Sequence, residues 1–327
     1  MRTATLSPST KPLSRIILGT DSVGAVFPWS TTAETMRFLD AIVDVGCTAL
    51  DTAAIYQLGG SERLIGKWIS RRNLRNRVFL ITKGAHPGIP FNTSRFDLQS
   101  ITADFHDSLR RLRTDHVDLY LLHRDDPSKP CEDVLALLAR FHREGKCNAY
   151  GVSNWSVPRI EAAVRFLEAE GLPPLAASSP HYSLVDCTRP FFPGCLSIAG
   201  HAGDAARVFH EQTKLPVLAW SPLGRGLFGP HMLESKRPPW YNLGRLWSYR
   251  TYASEANFAR RRRAQEVAQE RGVTAAQIAL AFLLSQPFPV FPIVGTLSVE
   301  NMRKNLEACE LRLTQSECRY LLSGQAE

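Results

Sequence analysis

The chain has 327 residues, 44% of them hydrophobic and 21% charged. That composition belongs to a folded globular chain with an ample core and excludes a disordered or collagen-like one. Lys and Arg number 39 against 31 Asp and Glu, a net charge of +8, which suits an anionic ligand without implying nucleic acid.

Seven cysteines stand at positions 47, 131, 147, 187, 195, 309 and 318, with no C-x-x-C pair and no zinc-type spacing. They read as reduced thiols, and no metal site is expected. The segment MRTATLSPSTKPLS has no apolar core of signal-peptide length. The most apolar stretch, 278–294, is interrupted by Ser285, Gln286, Pro287, Pro289 and Pro292, whereas a bilayer span needs about 20 apolar residues in a row. A cytoplasmic protein with no membrane or nucleic-acid partner is expected.

In chain order, short apolar runs alternate with helical patterns. The runs are RIILG (15–19), TALD (48–51), VFLITK (78–83), VDLYLLH (117–123), NAYGVS (148–153), PLAASS (174–179), VLAWS (217–221) and VFPIVG (290–295). Several are nearly continuous, as strands buried on both faces should be. Helices are predicted over Thr32 to Val45, stopped by Gly46, and over Asp97 to Leu112, Glu132 to Arg143, Val157 to Glu168 and Val299 to Cys309. A further one should start near Thr314, where Thr314 and Glu317 form a capping box.

Eight strand–helix units predict an α/β chain folded as a single (β/α)8 TIM barrel domain over residues 1–327. The alternative is a doubly wound open sheet, but the turn after the first strand lacks its G-x-G-x-x-G. Two additions are expected: a long loop after strand 7 (222–256) and an extra C-terminal helix. The loop is rich in Pro, Gly and aromatics, and its part at 239–252 reads as a lid or a partner surface. Arg260 to Arg263 are consecutive and should point around the whole helix, so they read as solvated or cofactor-facing.

Active residues of such a barrel gather at the C-terminal ends of its strands. That rule selects Asp51, Tyr56 just beyond it, Lys83 and His123. An ammonium beside Tyr56 favours the phenolate and should lower its pKa, Asp51 should hold Lys83 charged, and the tyrosine becomes a general acid. His123 can orient a carbonyl oxygen. No side chain donates a hydride, so a cofactor must supply it. Each residue taken singly is as well explained by packing or capping; four suitable types at compatible strand ends are not.

The stretch LDTAAIYQLGGSERLIGKWI (50–69) resembles the signature of the aldo-keto reductases, and SLRRLRTDHVDLYLLHRDD (108–126) resembles their second segment. TKG (82–84), GVSNW (151–155), AWSPLGRGLF (219–228) and GTLSVENMRKNLEA (295–308) follow in the family's order. The resemblance implies a (β/α)8 barrel that reduces an aldehyde or ketone, a small-molecule carbonyl substrate, with NADPH, and NADH as the second choice. It puts the catalytic tetrad on Asp51, Tyr56, Lys83 and His123.

For the cofactor it implies Gly19 and Thr20 near the nicotinamide ribose, Asp51 as a further cofactor contact, and Ser153 and Asn154 at the carboxamide. Ser179 stands there in place of the usual glutamine. Trp220 would stack on the ring. Ser221, Leu223, Gly224 and Gly226 would hold the pyrophosphate. Gly295, Thr296, Asn301 and Asn305 would hold the adenosine end, where Leu297 and Lys304 depart from the family pattern and Arg225 or Arg303 would supply charge. Phe27, His86 and Trp155 follow strand ends and are expected at the substrate. A second reading is a non-catalytic regulatory subunit that senses redox state by binding NADP(H); the intact tetrad argues against it.

Overall fold

The computed structural model describes residues 2–24, 31–88, 93–229 and 243–325. Among them eight parallel strands close a barrel: β3 (Ile17–Gly19), β4 (Ala49–Asp51), β5 (Phe79–Gly84), β6 (Leu119–Leu122), β7 (Tyr150–Ser153), β8 (Ser178–Ser179), β9 (Val217–Trp220) and β10 (Val290–Val294), with β10 returning to β3. The closed barrel, rather than the open sheet, is the outcome.

The near-continuous apolar runs have a direct cause. Ile17, Ala49, Phe79, Ile81, Leu119 and Leu121 pack inside the barrel, while Leu18, Leu50, Leu80, Tyr120 and Leu122 face outward. The outward set meets Leu39 and Ile42 of α1 (Thr32–Asp44), Ile65 and Trp68 of α2 (Gly60–Arg72) and Ile101 and Phe105 of α3 (Leu98–Leu112). Both faces of each strand are therefore dry, and each such side chain contributes about 1.5–3 kcal/mol on burial.

The remaining predicted helices are α4 (Glu132–Arg143), α5 (Val157–Ala169), α10 (Val299–Glu307) and α11 (Gln315–Ser323). The Thr314–Glu317 capping box forms, and Gly46 follows the α1 C-cap Val45 at φ 99°. All seven cysteines are free thiols.

Three features differ from expectation. A two-stranded hairpin, β1 (Thr3–Ala4) with β2 (Leu13–Ser14), precedes the barrel; pieces that short show no period. β8 keeps only two of the six residues of PLAASS and is followed by α6 (Asp204–Thr213). The segment 222–256 is not all loop. Its described part ends in α7 (Leu243–Tyr252), followed by α8 (Glu255–Arg271) and α9 (Ala275–Leu284) before β10. Aromatic composition hid α7, because its large residues crowd too closely to show a 3.6-residue stripe.

The four arginines do point apart. Arg260 pairs with Asp186 (2.8 Å), Arg262 with Glu255 (2.6 Å), Arg263 caps the carbonyls of Leu321 and Leu322, and Arg261 lines the cavity described below.

Candidate active site

The ends of β3, β4 and β5 are tied together beneath the site by buried polar side chains. Ser61 Oγ lies 3.0 Å from both Thr20 Oγ1 and Thr52 Oγ1 and donates to the Thr20 carbonyl. Glu62 accepts from Thr82 Oγ1 and from Arg111 Nε, each at 2.6 Å. The Ser-Glu pair of the signature thus positions Asp51 and Lys83 by holding their neighbours.

Above this layer the four expected side chains meet. Lys83 Nζ donates to Asp51 Oδ2 (2.6 Å), to the Thr52 carbonyl (3.0 Å) and to Tyr56 Oη (3.2 Å). The Tyr56 and His123 rings stand edge to face at 5.8 Å, and the His86 ring stands 5.0 Å from that of His123.

Burial pulls the Lys83 pKa down, but Asp51 and Tyr56 outweigh it and hold the ammonium above its usual value. The tyrosine corrects the expectation. Burial raises the Tyr56 phenol, and although Lys83 lowers it, the net shift is upward, with Asp51 and Asp21 adding to the rise. Tyr56 is a neutral phenol, the form that donates a proton. His123 is held neutral, driven far down by burial and then by Lys83, Arg124 and His86.

These groups open into one cavity of about 1490 Å³ across the C-terminal mouth, larger than the roughly 300–1,000 Å³ that one small ligand occupies. Of the residues expected at a cofactor, Gly19, Asp51, Ser153, Asn154, Ser179 and Trp220 line it, as do Ser221, Leu223 and Gly226. Gly295, Thr296, Asn301 and Asn305 line its far end. Thr20 and Gly224 do not. Thr20 is spent on the buried tie, and Gly224 turns inward at φ 55°, where a Cβ would stand 3.0 Å from Val185. Gly226, at φ 98°, has open space where a Cβ would be.

Left-handed backbone at Ala85 (φ 60°), Asn154 (φ 58°) and Ser221 (φ 51°) ends β5, β7 and β9, so strain concentrates at this mouth. The Ser153, Asn154 and Ser179 side chains already bond within the protein. Ser153 Oγ donates to the Ser179 carbonyl, Asn154 Nδ2 to Ser153 Oγ, and Ser179 Oγ to the Leu218 carbonyl. By contrast Asp51 Oδ1, His123 Nδ1 and Trp220 Nε1 are buried with no partner among the described residues. An unpaired acceptor on Asp51 beside Gly19 fits a ribose hydroxyl, and open backbone at Gly226 fits a phosphate.

Of the expected substrate residues, His86 lines the cavity. Trp155 does not: the left-handed turn at Asn154 sends it into the core against Phe96, with Arg159 over its ring. Phe27 lies outside the described residues. Sequence reasoning missed Asp21, Arg124, Phe191, Phe192 and Cys195, and Gln265 and Gln269 of α8, all of which line the cavity. Arg124 and Asp21 could have been found by extending the strand-end rule one residue past His123 and two past Gly19; the others lie where no strand signal reaches.

The sequence model of the Aldo/keto reductase family matches residues 15–323. The chain belongs to this family. This aldo/keto reductase is 29% identical over 319 residues to the uncharacterised oxidoreductase YrpG of Bacillus subtilis, covering 94% of this chain and 91% of the other. It is 30% identical to the aldo-keto reductase str7 of Strobilurus tenacellus, over 87% and 79% of the two chains. Among solved structures, an aldo-keto reductase from Klebsiella pneumoniae in complex with NADPH superposes with a TM-score of 0.71 at 26% identity, over 98% and 93% of the two chains. No helix among the described residues is long and apolar enough to cross a membrane.

Proposed function

We propose that this aldo/keto reductase binds NADPH along the cavity and reduces an aldehyde or ketone to an alcohol, with Tyr56 as proton donor. The observation that carries this is the chain Asp51–Lys83–Tyr56, with contacts of 2.6 and 3.2 Å, ending in a neutral phenol beside a neutral imidazole.

NADPH, when bound, supplies the hydride to the carbonyl carbon. Everything else falls to the protein. The substrate oxygen sits between Tyr56 Oη and His123. Tyr56 gives its proton to that oxygen, and the phenolate left behind gains the full attraction of the Lys83 ammonium, which Asp51 keeps charged. Lys83 therefore acts on the product of the proton transfer more than on the resting tyrosine.

Asp51 Oδ1, Gly19 and the Trp220 ring would hold the nicotinamide end, Ser221 and Gly226 the pyrophosphate, and Asn301 and Asn305 the adenosine. NADPH is favoured over NADH by Arg261 and Lys304, cations lining the adenosine end, and by the relative crystallised with it. All 327 residues are read as one functional domain, because residues from β3 to α10 line a single cavity.

The test is steady-state NADPH oxidation with a panel of aryl and alkyl aldehydes, charged and uncharged. Turnover on at least one is expected. Tight NADPH binding with no turnover on any would sink the enzymatic reading in favour of a redox-sensing subunit.

A further inference from the structure

The reaction above leaves two of the cavity cations among the described residues without work, Arg124 and Arg225, and Arg225 lies over the Phe191 ring at 4.3 Å. Arg124 follows His123 at the end of β6, and only 8% of it is exposed. Its Nη1 donates to the His123 carbonyl (3.0 Å), and its Nη2 lies 3.2 Å from Cys195 Sγ. These contacts occupy two of the N–H groups of a guanidinium that carries five.

Three nearby cations have carboxylates of their own: Lys83 has Asp51, Arg95 has Asp104 and Arg159 has Asp125. Arg124 has none among the described residues. Cys195 brings no counter-charge, since burial pushes its thiol up and keeps it protonated. Asp21 and Asp51, the acidic residues that line the cavity among the described ones, belong to the β3 and β4 side. A buried guanidinium without an anion is costly, and the fold retains this one in the wall of a cavity.

The residues after β8 add a second observation. Phe191 and Phe192 line the cavity, and their ring centroids lie 4.7 Å apart. The Trp247 ring of α7 lies tilted beside them at 5.9 and 6.1 Å. Phe192 and Trp247 are 49% and 46% exposed. The exposed parts of Phe192 and Trp247 offer apolar surface to the body of a substrate.

We propose that Arg124 binds an acidic group of the substrate, so that this site takes aryl aldehydes or ketones carrying a carboxylate. The proposal rests on the reading of the tetrad as a carbonyl-reducing centre. The carbonyl oxygen lies at Tyr56 and His123, the ring against Phe191 and Phe192, and the carboxylate on the free N–H groups of Arg124.

The experiment compares kcat/KM for 4-carboxybenzaldehyde and for its uncharged methyl ester, with saturating NADPH, in the wild type and in Arg124→Gln and Arg124→Lys. The acid should be preferred at least tenfold by the wild type. Arg124→Gln should lower that preference at least tenfold, mainly through KM, and Arg124→Lys should restore part of it. Calorimetric titration of benzoate into the NADP+-loaded wild type and Arg124→Gln reads the same contact without turnover and should show weaker binding in the variant.

No turnover on either aldehyde defeats the carbonyl-reductase reading itself. Turnover with an acid-to-ester ratio near one in the wild type overturns the Arg124 assignment alone. So does an equal loss on both aldehydes in Arg124→Gln, which would make the arginine only a pin for the Cys195 loop. An equal weakening of NADPH binding would assign Arg124 to the cofactor instead.

Discussion

The two mouths of the barrel bury similar groups and finish them differently. At the lower mouth Asp118, just ahead of β6, is fully enclosed. Its Oδ2 accepts from Arg75 Nη1 (2.8 Å), Lys11 Nζ (3.2 Å) and the Leu80 N–H (2.8 Å), and its Oδ1 from Asn148 Nδ2 (3.2 Å). The hairpin that delivers Lys11 also seats Leu6 and Leu13 under the barrel interior. At the upper mouth Asp51 is nearly as buried, yet one oxygen meets Lys83 and the other has no partner among the described residues. A buried polar atom left unpaired costs about 1–3 kcal/mol. The lower cluster is complete in itself and serves stability. The upper one leaves bonds open in a cavity, where a ligand can complete them.

The first way to break this contrast is to remove the group the upper mouth presents. Tyr56→Phe should lower kcat for carbonyl reduction by about 10²–10⁴-fold, the range of a lost general acid, while NADPH binding by fluorescence titration stays within a few-fold and the melting temperature barely moves. A variant that turns over at a near-normal rate would take Tyr56 out of the mechanism.

The converse change strikes the lower mouth. Asp118→Ala leaves Arg75 and Lys11 without their shared carboxylate and should cost about 3–5 kcal/mol in urea unfolding, with kcat per folded molecule unchanged. Comparable activity loss at constant stability would show that the two ends are not separate in purpose.

The contrast also marks what the sequence could convey. Runs such as VFLITK and VDLYLLH announce strands because both of their faces are buried. The positions of Asp51, Lys83 and His123 then follow from where those strands end. The upward shift of Tyr56 was not legible, because a sequence shows the neighbouring ammonium and not the depth of burial, and burial is the larger effect. Trp155 was misplaced for a similar reason. Its distance from a strand end is right, but the left-handed Asn154 turns it away. The hairpin and α7 carry too few periodic residues to be seen, and Arg124 acquires meaning only when its missing carboxylate is known.

One cluster at the upper mouth is complete, and it sharpens the comparison through pH. His181 is fully buried beside Trp220, with its rings 4.9 Å apart, and contacts Ser197 Oγ (2.8 Å), Tyr252 Oη (3.1 Å) and Cys187 Sγ (3.3 Å). Burial pushes its pKa from 6.5 to about 3. Between those values the unfolded chain binds the extra proton and the folded one does not, so acidification favours unfolding. This one group should remove about 3 kcal/mol between pH 7 and pH 4. In His181→Gln the acid loss measured by urea unfolding should be smaller by that amount. Identical pH slopes in the two proteins would mean that the imidazole becomes protonated while folded.

The smallest effect belongs to an atom with no partner. Trp220 Nε1 is buried and unpaired, while the indole as a whole stands in the wall of an open cavity. Trp220→Phe deletes the orphan N–H and keeps an aromatic face. Its smaller ring enlarges a space that is already open rather than creating a sealed void. The loss of packing area and the removal of the unsatisfied donor oppose each other, so unfolding should change by less than about 1 kcal/mol. NADPH should nevertheless bind more weakly, because a phenyl ring offers less area for stacking than an indole. Stability loss well beyond that limit, with NADPH affinity intact, would place Trp220 with the structural groups of the lower mouth instead of the unfinished set at the upper one.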